Sequence, residues 1–305
     1  MNEPVVIHGP TEPRVALVLD SPHSGHDFPA DFDAAVSEFD LCDGEDSFVD
    51  ELYRPATELG VALIAAQFPR TYLDPNRHAG DIDLELIEGG RWPHERVPSG
   101  KAEIGKALLW RTLDDGRPIY ARKLGVAEVE SRIERCHAPY HGALTRWIDA
   151  THARFGVSYH INCHSMNEVA GVQGEGGRGS RRADFVLGDR DGSTCEPGFT
   201  EFVKRWLESA GYEVKVNDPY KGVELVRAYS SPLNGRHSLQ IEINKRLYMD
   251  ETTLQCTSGF EVLQRDLMGL IDALIGSEQV KSPASRGLGP AVGRADQASV
   301  LRRRK

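Results

Sequence analysis

"SYHINCHSMNE", residues 158–168, has the alternating pattern of a β-strand with an unusual polar face. Successive side chains of a strand point to opposite faces, so three apolar side chains share one face. His160, Asn162 and His164 share the other face. Two imidazoles around an asparagine are unusual on a half-buried strand, and the last of them falls at the strand's end. This pattern indicates that the strand delivers polar side chains to a site.

Strand and helix patterns alternate on both sides of this stretch. Further strands are predicted at 14–20, 61–68, 183–189, 212–218 and 237–244. Helices are predicted at 46–60, at 127–155 with Pro139 as a kink or break, at 198–211 and at about 253–276. Strands separated by helices predict a mainly parallel sheet with helices on both faces. The segment 69–126, rich in Arg, Asp, Gly and Pro, is predicted to form irregular loops over one end of that sheet, where α/β enzymes bind ligands.

Length and composition bound the classes of protein. The 305 residues are 40% hydrophobic and 27% charged, which is typical of a globular protein. We expect one domain over 1–278 and a basic, disordered tail over 279–305. The net charge of −10 is unevenly distributed, since residues 281–305 carry seven Lys or Arg and one Asp. The net charge of the remaining body is therefore about −16, which disfavours nucleic acid as a partner of the folded part.

Location is predicted from what the sequence lacks. The apolar runs are strand-sized, so we expect no membrane segment. The start "MNEPVVIHGPTEPR" does not have the pattern of a secretory signal. The five cysteines are scattered, odd in number and without a CxxC pair, which argues against a disulfide framework and against a thiolate zinc site. A cytoplasmic location is the resulting expectation.

Polar residues at three strand ends form a candidate metal centre. His23 follows the first strand, His164 ends its own strand, and Glu242 lies on the polar face of the late strand "LQIEIN". A catalytic zinc takes three protein ligands from His and acidic residues and keeps a fourth position for water. His23, Asp46 and His164 would supply these ligands, and Glu242 would move protons as a general base and acid.

Other histidines and one asparagine near these positions are candidates for supporting the metal ligands. His160 and Asn162 lie deeper on the strand and would orient the site from behind the ligands. His137 and His141 fall at i and i+4 around a proline, so His141 is a further supporting candidate.

Arginines form a second candidate group. The loop "FPRTYLDPNRHAGDIDLE" carries Arg70 and Arg77 beside Asn76, and Arg182 and Arg236 come later. The planar guanidinium suits bidentate capture of carboxylates. An internal network of arginines and aspartates that stiffens the loop is the alternative interpretation.

Eight blocks, in order, carry a resemblance that covers about residues 14–275. They read "LDSPHSGHDFPADF", "EDSFVDEL", "FPRTYLDPNRHAGDIDLE", "APYHGAL", "INCHSM", "RRADFVLGDRDG", "VNDPYKGVELVR" and "GRHSLQIEINKRLYMDE". Together they resemble the N-formylglutamate amidohydrolases, or deformylases, of histidine degradation. The resemblance implies cleavage of N-formyl-L-glutamate to formate and L-glutamate, and other N-acyl amino acids stay an alternative substrate class.

The same resemblance implies a fold and a site. The fold would be a three-layer α/β/α arrangement with a mixed, mainly parallel sheet, similar to the zinc carboxypeptidases and called phosphorylase/hydrolase-like. Asn76 and Arg77 would hold the substrate's carboxylate in front of the metal. Carboxypeptidases place their acidic ligand only a few residues after the first histidine. In this sequence the acid must come from the following helix, where Glu45 and Asp50 are rivals of Asp46.

Two further functions stay open at this level. Cys163 next to His164 would suit a cysteine hydrolase, although adjacent residues of a strand point to opposite faces. A protein that binds acidic amino acids through its arginines, without catalysis, is the non-enzymatic alternative. The identity of the metal and the oligomeric state do not follow from the sequence.

Overall fold

A seven-stranded sheet forms the centre of the computed structural model, which describes residues 3–172, 177–277 and 280. Its strands run in the order β1-β3-β2-β4-β7-β5-β6. Neighbouring strands are parallel except for the pairs β1–β3 and β5–β7. The strands are β1 (Val5–His8), β2 (Leu17–Ser21), β3 (Ala62–Ala66), β4 (Ser158–Met166), β5 (Phe185–Gly188), β6 (Val214–Val216) and β7 (Arg236–Asn244).

The two long central strands confirm the alternation read from the sequence. All nine residues of β4 are buried, as expected for a strand in the middle of a parallel sheet. Tyr159, Ile161 and Cys163 belong to one hydrophobic cluster, together with the apolar residues of β7. His160, Asn162 and His164 therefore face the other side, and Gln240 and Glu242 of β7 do so too.

Helices cover both faces of the sheet, which confirms the three-layer α/β/α fold. One face packs against α2, α5 and α7. The other packs against α3, α4 and the segment that follows β3. The helices are α1 (Glu38–Leu41), α2 (Val49–Tyr53), α3 (Val126–Arg132), α4 (Ala138–Phe155), α5 (Pro197–Ser209), α6 (Glu224–Ala228) and α7 (Gly259–Gly276).

Several element boundaries differ from the sequence prediction. The edge strand β1 was not predicted. The helix predicted at 46–60 starts only at Val49, because Phe48 has a left-handed backbone with φ of 65°, and from Arg54 it continues as a 3₁₀ helix. Pro139 does not break its helix. It lies in the first turn of α4, where a missing N–H is tolerated, and a π-helical turn at Ile133–His137 joins α3 to α4. The last helix starts at Gly259, after the short strands Met249–Asp250 and Gln255–Cys256.

The segment between β3 and α3 forms irregular loops, as predicted. Its helical turns, Glu88–Gly90 and Lys101–Ile104, are no longer than four residues. Apolar side chains such as Tyr72, Leu73 and Ile82 fix it to the core. The tail predicted at 279–305 lies outside the described residues, apart from Val280, which is buried. Within the described chain, no helix combines the length and apolarity that a bilayer crossing requires.

Candidate active site

Three donor atoms from distant parts of the chain converge at the carboxyl ends of β2 and β4. Asp46 Oδ2 lies 3.2 Å from His23 Nδ1 and 2.9 Å from His164 Nδ1. The two imidazole rings are 4.7 Å apart between centroids. All three side chains are buried, and their donor atoms lie within 4.8 Å of one another. The structure thus brings together the three residues proposed from the sequence.

Backbone geometry explains why Asp46 reaches this point. Its N–H donates to the carbonyl of His23 at 3.1 Å, which ties the loop to the end of β2. The rival acids point elsewhere, since Glu45 contacts His26 at 2.9 Å and Asp50 accepts from Arg54 at 2.5 Å. Of the three candidate acids, Asp46 is therefore the one that contacts both histidines.

The outer nitrogen of each histidine has an oxygen partner. His23 Nε2 lies 2.7 Å from Asp74 Oδ1, and His164 Nε2 lies 2.8 Å from Asn162 Oδ1. With a metal ion bound at Nδ1, these oxygens would accept the proton that each imidazole then carries on Nε2. The second of these contacts brings the Asn162 amide oxygen against the outer nitrogen of His164.

Asn76 shares the environment of His164. Its Nδ2 lies 3.1 Å from His164 Nε2, and its Oδ1 accepts from the Leu225 N–H at 2.9 Å, which fixes the orientation of the amide. In the tautomer that a metal at Nδ1 requires, His164 Nε2–H would donate to Asn162 and could not also accept from Asn76. The Asn76 amide group lies at the cavity wall, where its N–H would then be available for a ligand.

Charges in the cluster are set by burial and by close partners. Burial by itself raises the pKa of Asp46, but hydrogen bonds from His164 and His23 outweigh it and lower the pKa. The pKa of Asp74 is also lowered, since Arg70 and His23 offset its burial. Burial lowers the pKa of His164, which favours the neutral imidazole that a metal ligand needs.

Glu242 lies next to this cluster on the neighbouring strand. It is the register partner of His164 across β4 and β7, so the two side chains project from the same face. Glu242 Oε1 accepts from Gln240 Nε2 at 2.7 Å. Its side chain lines a cavity of about 190 Å³ together with His23 and His164.

Cationic side chains form the opposite wall of the cavity. The Arg70 guanidinium lies 4.8 Å from the Trp110 ring centroid, and Lys106 Nζ lies 3.5 Å from it on the same indole. Arg77 lines the same space, and Arg182 lines an adjoining space that shares Arg70 and Trp110. A small anion in the cavity would meet positive charge from several directions.

Other residues proposed from the sequence lie further from the cavity. His160 contacts Asp20 at 2.9 Å and Ser238 at 2.7 Å, below the cluster. His141 contacts the Pro75 carbonyl at 2.9 Å, so it supports the loop that carries Asn76. Burial and the nearby His137 lower the pKa of His141 to about 3, which keeps it neutral.

The substrate-binding role predicted for Arg236 has to be corrected. It stands at the first residue of β7, whereas Glu242 stands six residues later at the other end of the strand. At about 3.3 Å per residue, this separates the two by roughly 20 Å. The Arg236 guanidinium instead pairs with Asp149 at 2.5 Å. The interpretation of Arg236 as a substrate-binding residue is therefore wrong.

Sequence reasoning missed the partner of His23 and most of the cationic wall. Asp74 lies in the loop for which an arginine–aspartate network was the alternative interpretation, and it contacts Arg70 at 3.0 Å, but its closest contact is with His23 at 2.7 Å. A turn signal was present, because Asp74 Oδ1 also accepts from the Asn76 N–H two residues later at 2.9 Å. Lys106 and Trp110 had no local signal.

Comparison with known proteins identifies the chain as an amidohydrolase. The model of the N-formylglutamate amidohydrolase family matches residues 15–249, and the chain belongs to this family. An N-formylglutamate deformylase from Pseudomonas putida is 29% identical over 243 residues, which cover 78% of this chain and 84% of that protein.

Solved structures agree with this assignment. The crystal structure of N-formylglutamate amidohydrolase from Ralstonia eutropha JMP134 is similar, with 45% identity and a TM-score of 0.83. The similarity covers 90% of this chain and 97% of that one. The gene product Atu2144 from Agrobacterium tumefaciens shares the fold at 17% identity, with a TM-score of 0.65 over 90% and 96% of the two chains.

Proposed function

We propose that this chain hydrolyses N-formyl-L-glutamate to formate and L-glutamate with the help of a bound divalent metal, most consistently Zn²⁺. The observation that carries the proposal is the convergence of His23, Asp46 and His164 beside Glu242. The relatives are named for action on N-formylglutamate, which supports the substrate.

The donor set fits a catalytic metal. His23, Asp46 and His164 offer two imidazole nitrogens and one carboxylate oxygen, a three-ligand set found in catalytic zinc sites. Asp74 and Asn162 lie against the outer nitrogens and would hold the tautomer that such binding requires. When bound, the metal supplies Lewis-acid polarisation of the amide carbonyl and lowers the pKa of water. The same donors also accept Mn²⁺, Fe²⁺, Co²⁺ or Ni²⁺.

Glu242 is the proposed proton carrier. Its carboxylate shares a face with His164 and borders the same cavity, so a water molecule there would lie within its reach. Glu242 would accept a proton from the attacking water and deliver it to the departing glutamate nitrogen. Gln240, which donates to Oε1, holds the carboxylate in position.

The cationic wall is the proposed recognition element for the two carboxylates of the substrate. Asn76 and Arg77 would hold the α-carboxylate, and Arg70 or Arg182 the side-chain carboxylate. Arg77 Nε donates to the Lys106 carbonyl at 3.1 Å and Nη1 to the Asn76 carbonyl at 3.0 Å, which directs its remaining donors. A local positive wall is needed because the overall charge repels a dianion at long range.

The test is formate release by purified protein, first stripped with a chelator and then supplemented with single divalent metals. N-formylglutamate is compared with N-formylaspartate, N-acetylglutamate and N-formylmethionine. We expect activity to return with metal and to be highest on N-formylglutamate. Tight binding without formate release under every metal would favour the binding-protein alternative. Equal activity before and after stripping would remove the metal from the mechanism.

We propose that residues 1–278 form the amidohydrolase domain and that the substrate arises in histidine degradation in the cytoplasm. The five cysteines are free in the structure, which suits a reducing compartment. A cysteine mechanism is disfavoured, because Cys163 faces the core and burial raises the pKa of its thiol.

A further inference from the structure

A second group of metal-binding side chains lies beside the proposed active site. His26, Cys42 and Glu45 each offer one donor atom, and these atoms lie within 4.8 Å of one another. His26 Nδ1 is 2.9 and 3.1 Å from the two Glu45 oxygens and 3.8 Å from Cys42 Sγ. One imidazole nitrogen thus faces both a carboxylate and a sulfur. We propose that these three residues form a second site, which binds a thiophilic divalent cation.

The distances fit a cation without large rearrangement. Zinc binds sulfur at about 2.3 Å and nitrogen or oxygen at about 2.0–2.2 Å. In a tetrahedral arrangement the donor atoms are then about 3.4–3.6 Å apart. The distances from His26 Nδ1 to the Glu45 oxygens and to Cys42 Sγ differ from this range by no more than roughly 0.6 Å. Binding replaces the thiol proton of Cys42, which leaves to solvent. In the structure Cys42 Sγ–H donates to the Glu38 carbonyl at 3.2 Å, and a rotation of the side chain redirects the sulfur.

Access and charge favour a cation here. Cys42 and Glu45 are buried, whereas 62% of the His26 side chain is exposed, so the site has an inner wall and an open side. Four acids, one of them the ligand Glu45, line the groove that contains the site, and none of its described lining residues is lysine or arginine. Lys245 lines an adjoining space with Glu45. One of these acids, Asp50, pairs with Arg54. The acids are Glu38, Glu45, Asp50 and Glu51.

The donor types select the class of cation. A thiolate, an imidazole and a carboxylate favour Zn²⁺, Cd²⁺ or Co²⁺ over Mg²⁺ and Ca²⁺, which prefer oxygen ligands. The site is separate from the catalytic cluster, because Glu45 turns towards His26 whereas the next residue, Asp46, turns towards His23. The alternative is an ordinary pair between His26 and Glu45, in which the sulfur takes no part.

Cadmium titration under reducing conditions separates these two interpretations. A bound Cd²⁺–thiolate gives an ultraviolet charge-transfer band that imidazole and carboxylate ligands do not give. We expect the wild-type chain to develop this band with one equivalent at the site, Cys42→Ser to lose it, and the matched control Cys256→Ser, at an exposed cysteine, to keep it. A band that survives Cys42→Ser, or that the wild type never shows, overturns the proposal.

His26→Gln provides a second test that does not depend on the buried cysteine. The imidazole is largely exposed, so the substitution should leave the fold intact. Loss of a direct ligand should weaken Cd²⁺ binding at the band by at least about tenfold. Unchanged affinity would show that His26 is not a ligand and would overturn the three-residue site. The catalytic cluster contains no sulfur, so neither result bears on the proposed function.

Discussion

His164 and Glu242 are direct register partners on the parallel strands β4 and β7. Their side chains leave the same face of the sheet at its carboxyl edge, one towards Asp46 and the other towards the cavity. Strand pairing alone therefore sets the spacing between a proposed metal ligand and the proposed proton carrier. Rigid neighbouring strands hold such a pair more precisely than loops would.

Glu242→Gln should separate catalysis from metal binding. The amide keeps the size of the side chain but cannot accept a proton, so kcat should fall by about 10²–10⁴. Metal content measured after dialysis should match that of the wild type, because Glu242 is not among the three proposed ligands. The exposed Glu201→Gln on α5 serves as the matched control. Near-normal turnover in Glu242→Gln would exclude this residue as the proton carrier.

Asp74→Asn should weaken metal binding without touching a ligand. The carboxylate lies 2.7 Å from His23 Nε2, and such outer partners typically change metal affinity by about 10–100-fold. The measurement is the dissociation constant for Zn²⁺ by competition with a chelator, with the exposed Asp115→Asn as the control. Unchanged affinity would mean that Asp74 serves only to hold Arg70, which it contacts at 3.0 Å.

Arg182→Met should reveal which carboxylate this arginine recognises. If Arg182 holds the side-chain carboxylate, KM for N-formylglutamate should rise by about tenfold or more, because a charge-assisted hydrogen bond is lost. KM for N-formylglutamine, which lacks that charge, should change little. Arg236→Met is the matched control, since Arg236 lies at the far end of β7. An equal rise for both substrates would assign Arg182 a role other than side-chain recognition.

Cys163→Ala tests the cysteine mechanism directly. The side chain faces the hydrophobic core and not the cavity, so kcat should stay close to the wild-type value. The variant should lose about 1 kcal/mol of unfolding free energy, because a small buried group is removed. Urea unfolding and formate release measure the two effects. A loss of turnover by orders of magnitude in a folded, metal-loaded variant would restore the nucleophilic mechanism.

Asp20→Asn should change how stability depends on pH. Asp20 is fully buried and contacts His160, Asn162 and Tyr140. Burial raises its pKa, but these partners outweigh burial and lower it below the usual value. Its contribution is therefore present above the unfolded-state pKa of about 3.9 and is lost as the pH falls through the lower folded-state value.

The variant should accordingly be less stable at pH 7, by about 3 kcal/mol, since a buried charged partner is removed. Its deficit relative to the wild type should shrink below about pH 4. Urea unfolding at both pH values measures this difference. A deficit that stays constant from pH 7 to pH 3 would show that the carboxylate charge is not what stabilises the network.

Local pattern was sufficient for the strands that carry the site. The period of two in β4 and β7 predicted which side chains face the core, because burial of one face fixes the register of a strand. It also placed His164 and Glu242 at strand ends. The boundaries near Phe48 and Pro139 were not predictable in the same way, since they depend on a left-handed residue and a π turn, on which hydrophobic periodicity does not report.

The sequence by itself determined the layered fold, the polar faces of the two central strands and the residue types of the donor set. Only the tertiary structure decided that Asp46 and not Glu45 or Asp50 meets the histidines, that Asp74 stands behind His23, and that Arg236 lies at the wrong end of β7. The physical reason is range. Periodicity reports on neighbours within a strand or helix, whereas contacts across 23 to 118 residues depend on strand order and on the paths of the connecting loops.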